Sequence, residues 1–281
     1  MALQRALSTP RTLYDAAGLA RGTPYAWPQS DRDRADLTMF LIRTYAPNLT
    51  MVHLIELDSA QHTYGPGSPE ALAVMQALDG YAGEIVAAAR KAPGGDRTTI
   101  ALVSDHGFLP LKTQVQPNFL LKQAGLIDVD ASGAVTGWRA YFHASGGSGF
   151  VYVKDAADRP RVATILEELR RDSANGIRAI WSSDDLARLG AHPDAAFGID
   201  VEDGFYTAAG HDVLRKPSTS KGGHGFAPDR PALHASLILA GPAVERRGSL
   251  GIVRQTQIAP TLARIFGVGL DPNAGDPISL K

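Results

Sequence analysis

The 281-residue chain contains no cysteine and almost no net charge, because 28 lysine and arginine residues oppose 29 aspartate and glutamate residues. The absence of cysteine excludes disulfides and thiolate metal sites, which leaves histidine and carboxylate side chains as the main ligands for an ion. The balanced charge gives no basic surface for a nucleic acid polymer. The longest apolar stretches have the length of strands, well below the roughly 20 residues of a membrane-spanning helix. We therefore expect neither a nucleic acid polymer as partner nor a membrane span.

Apolar periodicity predicts alternating helices and strands in the first half of the chain. A helix is expected over 31–45, where apolar residues recur at three- and four-residue spacing behind a serine that can cap the helix. Apolar strands are expected over 51–58 and 98–104, joined by a helix over 68–90. Strand, helix and strand in this order predict two parallel strands with a right-handed crossover.

In the rest of the chain the sequence patterns predict shorter and less regularly alternating helices and strands. Further elements are expected as a helix at 118–125, a hairpin turn at 144–149, a helix at 161–171, strands at 177–181, 196–201 and 205–208, a buried strand at 234–240 and a helix at 255–266. The expected domains are a metal-binding α/β core of 31–110 and 210–281, an inserted α+β subdomain of 111–209 and an irregular leader of 1–30.

Five candidate metal ligands follow these strands. Asp58 ends the first strand and precedes His62 by four residues, Asp105 ends the second strand next to His106, and His224 lies between two glycines. Because the carboxyl ends of parallel strands share one edge of a sheet, we expect these side chains to meet there. Imidazole and carboxylate are the ligands that zinc-like ions accept when cysteine is absent.

Each of these elements also has a simpler structural interpretation. Asp58 can cap a turn while His62 lies at the surface, Asp105 can accept backbone N–H bonds where its strand ends, and a histidine between glycines can belong to a flexible loop. The three elements together favour a metal site. The other histidines are predicted to be structural in strand-like runs (His53, His143, His234) or solvated in polar loops (His192, His211).

Three motifs, taken in order, resemble those of a known family. They are Glu56-Leu-Asp58-Ser-Ala-Gln-His62-Thr-Tyr-Gly-Pro66, Val103-Ser-Asp105-His106-Gly107-Phe108 and Gly223-His224-Gly225. Together they resemble the type I phosphodiesterase/nucleotide pyrophosphatase family of the alkaline phosphatase superfamily. The resemblance extends over roughly 31–267 and is loosest in the middle third of the chain.

The resemblance implies an α/β fold with a mostly parallel sheet flanked by helices and an inserted cap. It implies two zinc ions: one held by Asp58, His62 and His224, and a second to which Asp105 and His106 contribute. The implied activity is metal-dependent hydrolysis of phosphodiester or pyrophosphate bonds in a small phosphorylated substrate such as a nucleotide. The alternatives are a non-catalytic metal-binding domain and a phosphomonoesterase, sulfatase or mutase relative.

One part of the family pattern is not found. In that family a further aspartate and a threonine or serine nucleophile precede these motifs, but no hydroxyl residue in 1–30 follows an apolar strand that carries an aspartate. We therefore assign no catalytic residue and expect the chain to be the carboxyl-terminal portion of a longer enzyme, so that activity of this chain alone is doubtful. We expect no signal peptide in the sequence as given and assign no location, although the resemblance suggests an extracytoplasmic location for a full-length parent.

Overall fold

The computed structural model of the protein describes residues 2–281, except the side chain at position 272. The helices are α1 (Ala2–Leu7), α2 (Leu13–Arg21), α3 (Asp31–Tyr45), α4 (Glu56–Tyr64), α5 (Pro69–Lys91), α6 (Asn118–Gln123), α7 (Arg159–Arg171), α8 (Ser183–Arg188) and α9 (Ile258–Phe266). The strands are β1 (Ile100–Val103), β2 (Leu109–Val115), β3 (Ile127–Val129), β4 (Val135–Trp138), β5 (Ala140–Ala144), β6 (Ser148–Val153), β7 (Ile177–Ser182), β8 (Phe197–Val201), β9 (Gly204–Thr207), β10 (Arg215–Pro217), β11 (Gly222–Gly223) and β12 (Leu237–Ala240). The chain is therefore a mixed α/β protein, as predicted.

Two compact units interleave along the chain. One contains the chain up to Leu54 with residues 78–104 and 236–281, and the other contains residues 55–77 and 105–235. These boundaries differ from those of the expected core and inserted subdomain at 111–209, and the insertion stays a prediction. All five candidate metal ligands belong to the second unit.

The first unit confirms the predicted helix at 31–45. Ser30 caps α3 by accepting a hydrogen bond from the Asp33 N–H at 3.1 Å, while the Asp33 carboxylate accepts from the Ser30 N–H at 3.2 Å. Met39 and Ile42 of this helix pack against Ala88 of α5. The same unit contains the antiparallel pair β1 and β12.

The second unit contains the larger core. Strands β5, β6, β8 and β7 form, in that order, an antiparallel sheet, and the amphipathic helix α7 buries one face because its apolar residues recur at helical spacing. Strand β2 pairs with β10, β11 and β9. Fully buried members of this core include Leu121, Phe142, Val151, Val162, Leu166, Ile199 and Val201.

The predicted strand over 51–58 is wrong. Residues 51–55 pair with no strand among residues 2–281, and α4 begins at Glu56. An extended apolar segment becomes a strand only when a neighbour accepts its backbone hydrogen bonds, and Met51 is instead 83% exposed. Two acidic residues in the first turn of α4 also favour a helix start by interacting with its dipole.

Three related expectations need correction as well. Without a strand at 51–58 the parallel strand–helix–strand unit does not form, and within residues 2–281 the only parallel ladder joins β2 to β9. The leader expected to be irregular contains α1 and α2, the second ended by Gly22 in the left-handed conformation. The strand expected to be buried at 234–240 alternates instead between half-buried and exposed residues, and Ile238 is 60% exposed. Over residues 2–281 we find no helix with the length and apolar character needed to cross a bilayer.

Candidate metal centre

Helix α4 carries two of the candidate ligands on one face. Asp58 and His62 are four residues apart, the spacing that brings side chains together on a helix. The distance between Asp58 Oδ1 and His62 Nε2 is 3.6 Å. Helix α4 therefore brings Asp58 and His62 together, although the sequence pattern predicted that the two residues follow the end of a strand.

A short ladder between β2 and β11 delivers the third ligand. Gly222 pairs with Pro110 and Gly223 with Leu109 in antiparallel register, and His224 follows directly. The carbonyl of Gly222 lies 2.9 Å from His62 Nδ1. Because a carbonyl only accepts, it fixes the proton of His62 on Nδ1 and leaves the lone pair on Nε2, the arrangement common in metal-binding histidines.

The three ligand atoms form a nearly equilateral triangle. His62 Nε2 lies 3.2 Å from His224 Nε2, and Asp58 Oδ1 lies 3.5 Å from His224 Nε2 and 3.6 Å from His62 Nε2. Zinc bonds of about 2.0–2.2 Å to nitrogen and oxygen give a tetrahedron whose edges are roughly 3.3–3.6 Å. The triangle therefore has the dimensions of one tetrahedral face, and these half-buried side chains could hold a metal ion.

His106 and Asp105 lie beside this triangle rather than in it. The His106 ring stacks on the His224 ring with centroids 3.7 Å apart and planes inclined by 14°. Asp105 Oδ2 is 3.4 Å from His106 Nε2, and its side chain is 77% exposed. The structure thus brings all five predicted residues into one region, with three of them in a compact cluster.

Burial and neighbouring charges shift the pKa of two side chains at the centre, His224 and Tyr206. Burial lowers the pKa of His224, and the positive charge that His106 would carry lowers it further, although Asp58 opposes both effects. His224 is consequently neutral near pH 7, with a lone pair to offer. Burial also raises the pKa of Tyr206, and the Asp58 carboxylate adds to this, so the phenol stays protonated.

The loop that carries His224 is held by residues that the sequence analysis did not single out. The Gly147 N–H donates to the His224 carbonyl at 2.9 Å, and the Ser148 hydroxyl donates to the Gly225 carbonyl at 2.7 Å. A Cβ at position 147 would lie 2.0 Å from the Phe226 ring, so only glycine fits there. The glycine and serine content at 144–149 predicted the turn correctly, but it gave no sign of this second role.

A buried ion pair anchors the following segment. Arg230 Nη1 lies 3.0 Å from Asp200 Oδ1, and the same carboxylate oxygen accepts from the Ala227 N–H at 2.9 Å. Asp200 is fully buried and also contacts Arg178 at 3.1 Å. A buried carboxylate needs such partners, and this one ties the chain after His224 to strand β8.

The expectations for the remaining histidines were partly wrong. His211, expected to be solvated, has a side chain that is only 15% exposed, and its Nε2 lies 3.1 Å from the Gly133 carbonyl. His53, His143 and His234 are exposed instead of structural. Position along an apolar run therefore does not decide the burial of a single histidine when the run is unpaired or lies at a sheet surface.

Fold and site together define a mixed α/β protein with a candidate divalent-metal centre built from aspartate and histidine. The family model described as Type I phosphodiesterase / nucleotide pyrophosphatase matches residues 16–226. The chain therefore belongs to the type I phosphodiesterase/nucleotide pyrophosphatase family.

Individual relatives are distant and longer than this chain. The chain is similar to bis(5'-adenosyl)-triphosphatase ENPP4 from Homo sapiens, with 22% identity over 256 residues, and to the Pongo abelii protein of the same name, with 21% identity over 255 residues. Each match covers 85% of this chain and 49% of the relative. The chain thus spans about half the length of the curated relatives that it matches.

Solved structures show the same fold. An inactive variant of murine ectonucleotide pyrophosphatase / phosphodiesterase 5 in complex with AMP matches with a TM-score of 0.67 at 17% identity, and covers 89% of this chain and 62% of that chain. The human protein matches with a TM-score of 0.65 at 16% identity over the same shares. These likenesses confirm the α/β fold predicted from the motifs.

Proposed function

We propose that this chain carries the metal centre of a zinc-dependent hydrolase that acts on phosphodiester or pyrophosphate bonds. The observation that carries the proposal is the triangle of Asp58, His62 and His224, whose edges of 3.2–3.6 Å fit a tetrahedral zinc ion. Membership of the family supports the reaction class.

The aspartate and the two histidines would contribute different properties to the binding of the ion. Asp58 supplies negative charge, while His62 and His224 supply neutral nitrogen lone pairs, so the three together leave a coordination position open. Asp105 and His106 would contribute to a second ion beside the first. When bound, zinc supplies Lewis-acid stabilisation of charge that develops on a phosphoryl oxygen.

The substrate that we propose is a small phosphorylated molecule such as a nucleotide. This rests on the AMP bound to the murine relative and on the bis(5'-adenosyl) triphosphate for which the curated relatives are named. We assign no nucleophile, and Thr63, the hydroxyl residue next to His62, donates to the Ser59 carbonyl of its own helix at 2.8 Å.

Zinc titration of the metal-free chain tests the centre. Wild type should bind Zn²⁺ tightly, and His224→Ala should bind it at least about 100-fold more weakly because one of three ligands is lost. The exposed His53 provides the control, and His53→Ala should bind as wild type does. Equal affinity in wild type and His224→Ala would refute the centre.

Hydrolysis of an aryl phosphodiester by the zinc-loaded chain tests the reaction. Turnover that Asp58→Ala or Asp105→Ala abolishes would support a catalytic centre in this chain. Tight zinc binding without turnover, even when a segment with the strand aspartate and the threonine or serine nucleophile of the family is supplied in trans, would favour the non-catalytic metal-binding alternative.

A further inference from the structure

Phe108 makes ring contacts with three histidines of the site. Its ring centroid is 4.9 Å from that of His62, 5.2 Å from that of His224 and 5.6 Å from that of His106. The planes of the first two pairs are inclined by 74° and 68°, which is the edge-to-face arrangement that aromatic rings prefer. One hydrophobic side chain thus contacts imidazoles from two separate parts of the chain.

The strand register explains why Phe108 reaches this position. Gly223 pairs with Leu109 and Gly222 with Pro110, so one further step along the antiparallel register sets His224 opposite Phe108. Side chains at opposed positions lie on the same face of a ladder, close enough to touch. The contact between Phe108 and His224 therefore agrees with the backbone pairing, which ends one residue away on each side.

Other groups also contact the rings of His62 and His224: the two Nε2 atoms lie 3.2 Å apart, and Asp58 Oδ1 lies 3.6 Å and 3.5 Å from them. The Gly222 carbonyl accepts a hydrogen bond from His62 Nδ1. The His224 ring stacks against the His106 ring. The Phe108 ring adds an edge-to-face contact to each of these two imidazoles, His62 and His224.

We propose that Phe108 is a positioning residue that holds the imidazoles of His62 and His224 in the orientation for binding a shared metal ion. This inference rests on the proposed metal centre. Leucine at position 108 would fill much of the same volume, but it has no flat ring to place against the imidazoles. Tyrosine would keep the ring.

The experiment compares the full chain with Phe108→Leu and Phe108→Tyr. Phe108→Leu should bind Zn²⁺ about tenfold or more weakly, as changes to groups that orient metal ligands commonly do, and Phe108→Tyr should restore the affinity. Phe197 of β8, a partly buried phenylalanine that packs against the core of the second unit, gives the matched control Phe197→Leu. That control should lose stability without losing Zn²⁺ affinity.

A second measurement reports positioning without metal. In the metal-free protein the imidazole Cε1–H signals of His62 and His224 should carry a ring-current shift that moves in Phe108→Leu and remains in Phe108→Tyr. Wild-type affinity and unmoved signals in Phe108→Leu would overturn the inference, as would an equal affinity loss in Phe197→Leu. A wild type that binds no Zn²⁺ would refute the proposed function instead, while displaced signals in Phe108→Leu would still support positioning.

Discussion

Replacement of Gly222 by alanine should push α4 away from β11. A Cβ at position 222 would lie 2.5 Å from the Gln61 carbonyl oxygen and 2.8 Å from Pro66 Cδ, whereas ordinary contact begins at 3.4 Å. To restore ordinary contact, the Gln61 carbonyl oxygen would have to move about 0.9 Å away from the new Cβ. Because the obstacle is backbone, no side-chain rotation relieves it, and the helix itself has to move.

Such a movement should damage both the metal centre and the fold. Helix α4 carries Asp58 and His62, and metal–ligand distances tolerate only about 0.2 Å. The shift would also strain the 2.9 Å hydrogen bond from His62 to the Gly222 carbonyl. We expect Zn²⁺ affinity to fall by roughly 10–100-fold, with a loss of about 1–3 kcal/mol in the free energy of unfolding from overpacking.

Chelator competition for Zn²⁺ and urea unfolding of the metal-free protein measure the two effects. Gly83→Ala is the matched control, since Gly83 lies in α5 and a Cβ there meets nothing within 4 Å. That change should raise stability by about 0.5–1 kcal/mol, because alanine is a better helix former, and should leave Zn²⁺ affinity unchanged. Wild-type Zn²⁺ affinity in Gly222→Ala would refute the reasoning that close contact between α4 and β11 sets the ligand geometry.

Three further outcomes are expected. Ser148→Ala removes the donor to the Gly225 carbonyl and should cost about 1 kcal/mol in urea unfolding, together with a measurable loss of Zn²⁺ affinity, whereas Ser148→Thr should retain both. Arg230→Ala leaves the buried aspartate of β8 with one cationic partner fewer and should cost on the order of 3 kcal/mol in the same assay. Burial alone would raise the pKa of Asp33, but the hydrogen bond from Arg21 and the capping contacts lower it on balance. Ionised Asp33 therefore stabilises the fold above about pH 4 and less as the pH falls further, so Asp33→Asn should flatten that part of the pH dependence of unfolding.

Local rules predicted the elements whose determinants lie within a few residues. Ser30 caps α3 and Ser68 caps α5, because a serine hydroxyl three residues before a backbone N–H can close the first turn without any help from the rest of the fold. Gly267 ends α9 in the left-handed conformation for the same local reason. Such features depend on neighbours in sequence, so a sequence is sufficient to find them.

The segment at 51–58 shows where that approach fails. Its apolar run has the composition of a strand, but strand formation depends on a partner elsewhere in the chain, and none pairs with it among residues 2–281. Asp58 and His62 nevertheless lie close together as predicted, because side chains four residues apart lie on the same face of a helix. The motif thus located the candidate ligands even though the secondary structure assigned to them was wrong.

The supporting residues were harder to find than the candidate ligands, and the reason is physical. A ladder of two residue pairs has little stability of its own, so β11 keeps its place through close contacts that only glycine permits and through bonds from Gly147 and Ser148 to the loop after it. None of these contacts has a periodicity or a spacing in sequence, since those of Gly222 with Gln61 and those of Gly147 and Ser148 with the loop after β11 each join segments more than fifty residues apart. Metal-ligating chemistry requires particular side chains and is visible in a motif, whereas the precision of the ligand triangle depends on small residues whose importance appears only after the chain has folded.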